Sequence, residues 1–147
     1  MRVFVVVASA LMLAIAPIST ASAADVTTED ITQALSDRFS VRDYDANTLI
    51  VNAAGYSVII GVRNGDISYL TYIPGIDGDQ ISLEVLNDFN NNVKFARAYV
   101  DDDGDVVIQM DRNSDGGISI DNVKSDFDVF LMVVWTFLNE LEKQRIA

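Results

Sequence analysis

A chain of 147 residues with 22 Asp and Glu against 10 Lys and Arg carries a net charge of −12, which makes nucleic acid and anionic lipid surfaces poor partners. It has no cysteine and no histidine, so disulfides, Cys/His zinc sites and Ser–His or Cys–His nucleophile systems are all excluded. What remains is enough chain for one core, with carboxylates as its main reactive groups.

The first 23 residues read as a secretory signal peptide: one basic residue (Arg2), an apolar run from Val3 to Ile15, Pro17, and the small-residue triplet Ala21-Ser22-Ala23. Cleavage after Ala23 leaves residues 24–147 as a single domain, expected in the periplasm or secreted and without a stable membrane anchor. Loss of Arg2 leaves nine basic residues against 22 acidic ones, a net charge of −13.

In the mature chain, "VTTEDITQALSDRF" places Ile31, Ala34, Leu35 and Phe39 at helical spacing. The following stretch, "NTLIVNAAGYSVIIGVRNGDISYLTYIPG", is rich in β-branched and aromatic residues. Ala-Gly, Asn-Gly and Pro-Gly punctuate it, which predicts three antiparallel strands joined by tight turns. A second short helix is expected in "ISLEVLNDFNNNV", with Leu83, Leu86 and Phe89 on its buried face and Val85 at the edge. "KFARAYVDDDGDVVIQMD" reads as a hairpin about Asp102-Asp103-Gly104, and a long helix closes the chain. The order is α-β-β-β-α-β-β-α, an α+β fold in which helices cover an antiparallel sheet.

Three helix starts share one pattern. "VTTEDI", "ISLEVL" and "ISIDNV" each run apolar, Ser/Thr, any, acidic, any, apolar. This is a capping hydroxyl inside a hydrophobic staple, with a carboxylate in the first turn where the helix dipole favours it.

Two places invite a functional reading. In "DRNSDGGISIDN", the residues Asp111, Asn113, Asp115 and Gly116 match the start of a calcium-binding EF-hand loop, but the twelfth position is Asn122 instead of a bidentate acid, and a strand precedes the loop. A strand-to-helix connection turning on Gly116 and Gly117 accounts for the same residues. A calcium- or small-ligand-responsive sensor using Asp111, Asn113 and Asp115 is therefore the alternative function. The Asp101-Asp102-Asp103 and Asp105 cluster is read as a turn, because adjacent aspartates meeting the same water lack the separated environments that acid/base catalysis requires.

The second place is the final helix. Its core stripe is predicted as Phe127, Phe130, Leu131, Val134, Phe137, Leu138 and Leu141. Val129, Met132 and Val133 fall away from that stripe and Trp135 lies toward its edge, so mid-helix is apolar nearly all round. Either other elements of the same domain cover these four residues, or they form a candidate interface for another protein or for a second copy of the chain as a homodimer.

The segment from "EVLNDFNNNVKFARAYVDDDGDVVIQMD" through "DGGISIDNVKSDFDVFLMVVWTFL" resembles the YbjN-like family, described as bacterial sensory transduction regulators. The features that carry the resemblance are Asn87–Asn91 in a helix, the strand Phe95–Tyr99, the acidic turn Asp101–Gly104, the strand Val106–Met110, the Gly-Gly-Ile-Ser connection Gly116–Ser119 and the helix Val123–Leu141. Where the family commonly has a tryptophan in the middle helix, this chain has Asp88-Phe89. The resemblance implies a fold similar to the type III secretion chaperones, which often dimerise and bind polypeptide segments. It brings no catalytic residue, cofactor or metal. Together these readings point to a non-enzymatic, exported, chaperone-like or regulatory protein-binding module.

Overall fold

The computed structural model describes residues 25–146, so the signal-peptide reading of residues 1–23 lies outside the described residues. Helix α1 (Thr28–Leu35) is followed by strands β1 (Ser40–Asp45), β2 (Thr48–Ala53), β3 (Tyr56–Arg63) and β4 (Asp66–Asp77) and a 3₁₀ turn (Gly78–Gln80). Helix α2 (Leu83–Asn92), strands β5 (Ala96–Val100) and β6 (Asp105–Asn113) and helix α3 (Ile120–Ile146) complete the described residues. The strands form one antiparallel sheet in the order β1-β2-β3-β4-β6-β5.

The α+β reading holds, with one strand more than the sequence pattern predicts. Strand β1, "SVRDYD", was not anticipated because only Val41 on it packs against the core, as expected for a polar strand at a sheet edge. Ala54-Gly55 and Asn64-Gly65 make the two anticipated turns, each with consecutive positive φ angles (52° and 86°; 52° and 77°). Pro74-Gly75 does not end its strand. It lies inside β4, where the pairing with β6 shifts register between Tyr72 and Asp77 and Gly75 takes a φ of 76°.

All three helix caps form. Thr27 Oγ1 accepts from Asp30 N at 3.2 Å while the Asp30 carboxylate accepts from Thr27 N at 2.9 Å, a complete capping box. Ser82 accepts from Val85 N at 3.3 Å and Ser119 from Asn122 N at 3.1 Å. The staple partners Val26 and Ile31, and Ile81 and Leu86, are buried. The last staple fixes Val123 in the core beside half-buried Ile118.

Every helix lies on the same side of the sheet. Leu49, Val51, Val58, Ile60, Ile67, Tyr69, Ile108 and Met110 face inward and share one core with Ile31, Leu35, Phe89 and the inner stripe of α3. Phe127 sits at its centre, edge-on to Phe39 with ring centroids 5.0 Å apart and tilted against Tyr69 at 6.3 Å. Alternation sends the other residues of each strand to the uncovered face. One row of that face runs Ile50, Ile59, Leu70, Gln109, Arg97 across five strands.

Two helical phases differ from expectation. On α2 the buried residues are Val85, Leu86 and Phe89, whereas Leu83 is 75% exposed as the first residue after the cap. On α3 the buried stripe is Val123, Phe127, Phe130, Val133, Val134, Phe137 and Leu141, with Leu131 and Leu138 at its margin.

Candidate functional site

The outward ridge of α3 runs Asp121, Ser125, Asp128, Met132, Trp135 and, beyond half-buried Asn139, Glu142, at alternating steps of four and three residues. Met132 (58% exposed) and Trp135 (65%) are the two large apolar side chains on it. Of the four residues predicted as an interface, these two project into solvent and Val129 is half-buried against the core. Val133 is corrected: at 3% exposure it belongs to the core, between Phe130 three residues before it and Phe137 four residues after it. It is therefore unable to touch a partner.

Beside Trp135 two hollows adjoin, one of about 500 Å³ along α3 and one of about 460 Å³ between α2 and α3. They share Thr136 and Glu140 and bring Val85, Phe89 and Val93 to the edge of the same surface. On the other side of Met132, Asp128 holds Arg38 in a two-pronged ion pair at 2.7 and 3.0 Å, which fixes the end of α1 against α3.

The Asp111–Asp115 segment is arranged differently from a calcium loop. Asp111 and Asn113 lie on β6 itself, and Asp115 follows in the turn. The Asp111 carboxylate accepts hydrogen bonds from Ser68 Oγ and Gln109 Nε2, both at 2.8 Å, and pairs with Arg97 at 3.0 Å. Partial burial pulls its pKa upward, but the Gln109 and Ser68 hydrogen bonds and the Arg97 charge together hold it below the ordinary value. Asn113 Oδ1 accepts from Asp115 N at 2.8 Å, an Asx turn that leads into Gly116 and Gly117, whose φ angles are 82° and 85°. The Asp111 carboxylate and the Asn113 amide oxygen, two of the three ligands a cation would need, are thus engaged by protein donors. The four other aspartates behave as a turn: Asp101 Oδ1 accepts from Asp103 N and Asp105 N at 3.1 and 2.9 Å.

Sequence reasoning missed the place to which Asp111 belongs. On the uncovered sheet face, Asp111, Ser68, Gln109, Ile59, Gly61 and Leu70 line a solvent-open groove of about 590 Å³, bounded by Tyr44 and Asp45 on one side and by Arg63, Asn64 and Asp66 at the β3–β4 turn. The signal was the strand alternation, since Ile50, Ile59 and Leu70 are apolar at positions that face away from the helices. A polar cluster on the opposite side of β6 was equally invisible. Arg112 reaches Asp126 of α3 at 3.5 Å, and the buried Tyr69 hydroxyl has no hydrogen-bond partner among the described residues. Burial raises the Asp126 pKa, only partly countered by Arg112.

Compared with known proteins, the fold has counterparts in two solved structures. The E. coli protein described as "YbjN, a putative transcription regulator" superposes with a TM-score of 0.66 at 14% identity, over 84% of this chain and 97% of that one. The ExoU–SpcU heterodimeric complex from the type III secretion system of Pseudomonas aeruginosa contains a chain that matches with a TM-score of 0.51 at 16% identity, over 74% and 94%. No curated protein matches the sequence. The sequence model described as "Putative bacterial sensory transduction regulator" matches residues 29–143, from the first turn of α1 into the end of α3, and the chain therefore belongs to the YbjN family.

Proposed function

We propose that this chain is a non-enzymatic protein-binding module, chaperone-like or regulatory, which is exported through its N-terminal signal and works in the periplasm or outside the cell as a domain beginning after Ala23. The observation that carries the reading is the pair Met132 and Trp135, two large apolar side chains exposed on an otherwise polar helix ridge. Aromatic and Met side chains are enriched in protein interfaces, and exposing them to water without a partner offers no stability in return. The family's description as a regulator is in keeping with this role, as is the likeness to a chain solved in a heterodimeric complex. The missing His and Cys remove the commonest catalytic machinery.

Crosslinking the tagged mature protein in its native compartment tests the proposal, with Met132→Glu as the control that leaves the core intact. A specific protein recovered with the wild type and lost with the variant is the expected outcome. Equal recovery with both would reject the α3 face, and recovery of only further copies of the chain would replace a heterologous partner by a homodimer.

A further inference from the structure

The groove on the uncovered sheet face lies on the opposite side of the sheet from α3. Its floor is formed by Ile59 and Leu70, cross-strand partners, with Gly61 beside them. Gly61 has no positive φ, and a Cβ built on it would meet nothing within 4 Å. Neither backbone geometry nor crowding requires glycine there. In mid-strand, where glycine weakens the sheet, an unforced glycine marks a point where something outside approaches the backbone.

Charge selects what approaches. Asp45, Asp66 and Asp111 line the groove against one guanidinium, Arg63. Arg97 offsets Asp111 through their ion pair, whereas Asp66 makes no ion pair among the described residues. The groove runs from Tyr44 on β1 to Asp111 on β6, four interstrand spacings or roughly 19 Å. An extended segment of six residues covers about that length. Because the interior strands already have their backbone partners, such a segment would be held by its side chains and not by adding a strand.

We infer that this groove docks an extended segment of another protein, with a large apolar or aromatic side chain set over Gly61 between Tyr44 and Leu70, and Lys or Arg residues directed at Asp45 and Asp66. The inference rests on the reading of the chain as a polypeptide binder and gives it a second, chemically specified surface.

A fluorescein-labelled hexapeptide, acetyl-Lys-Ser-Trp-Ser-Lys-Ser-amide, serves as the probe in anisotropy titrations at low ionic strength, beside comparators with Glu for Lys and Ala for Trp. Saturable binding of the first peptide alone is expected, weakened at least about tenfold by Gly61→Val and also by Tyr44→Ala. A Cβ at position 61 meets nothing within 4 Å, and valine is a better strand former than glycine, so the thermal midpoint of Gly61→Val should equal or exceed that of the wild type. Should it fall, Tyr44→Ala carries the test, since Tyr44 is 69% exposed. Wild-type affinity in both variants, equal binding of the Lys and Glu peptides, or absence of saturable binding overturns the inference. So does self-association of the wild type that Gly61→Val abolishes, which would assign the groove to a second copy. Met132→Glu should bind the peptide as the wild type does. If it does not, the peptide sits on α3 and the groove is rejected while the α3 reading survives; intact peptide binding with equal crosslinked recovery from wild type and Met132→Glu has the converse meaning.

Discussion

Asp111 and Asp126 respond to acid in opposite directions. Asp111 has a folded-state pKa below the ordinary 3.8, so its stabilisation is present above that value and is lost as pH falls through the lowered one. Asp126 has a raised pKa because α3 buries it. The folded state then holds its proton more tightly than the unfolded chain, and its contribution above the raised pKa is unfavourable and disappears on acidification. Asp126→Asn should therefore raise the thermal midpoint at neutral pH, with the advantage over wild type shrinking as pH falls toward 4. A pH-independent difference would show that burial of the charged form is not the cause. Tyr69→Phe belongs with it: the hydroxyl is buried without a partner among the described residues, so urea unfolding should show a loss under about 1 kcal/mol or a gain. None of this cluster could be read from the sequence, since Tyr69, Arg112 and Asp126 are distant in the chain and meet only because α3 crosses β4 and β6.

Asn90 shows how one side chain finishes an element. Its amide donates to Ala98 O at 2.9 Å and accepts from Ala98 N at 2.8 Å, occupying the outward hydrogen-bonding groups at the middle of edge strand β5 as a neighbouring strand would. Asn90→Ala should cost about 1–2 kcal/mol and speed hydrogen exchange at the Ala98 amide, whereas an unchanged exchange rate would mean that the amide is protected by something else. The helix caps were legible because the capping pattern is local: Thr27, Ser82 and Ser119 each lie within three residues of the group they satisfy. Strand β1 was not, because a polar edge strand lacks the alternation that reveals a half-buried one. The phase of α3 was legible to within one residue. Val133 was misplaced because a stripe drawn through the aromatics is narrower than the surface a helix buries against a broad sheet.

Over the whole molecule, the helices take one face of the sheet for the core and leave the other to solvent, so the two candidate surfaces are separated by the sheet itself. Calcium should leave the thermal midpoint unchanged relative to chelator, because Asp111 and Asn113 are committed to Ser68, Gln109, Arg97 and the Asp115 amide. A rise on adding calcium would restore the sensor reading. The class of fold was visible in the order of hydrophobic periods, while the groove was not, because it depends on register: only the pairing of Thr48, Gly61 and Ser68 across three strands places a glycine opposite small neighbours.

The sheet also has a seam. Strands β1 to β4 follow one another as a meander and β5 and β6 form their own hairpin, so four of the five ladders join sequence neighbours; the exception is β4 with β6, where Ile67 meets Arg112 and Tyr69 meets Met110. Closing that seam brings together residues 28 to 47 positions apart, and the loop entropy it costs has no local contact to offset it in advance. Refolding should therefore be timed by this one pairing. Substitutions such as Ile108→Val at the seam would slow refolding, while Ile50→Val within the meander would chiefly hasten unfolding.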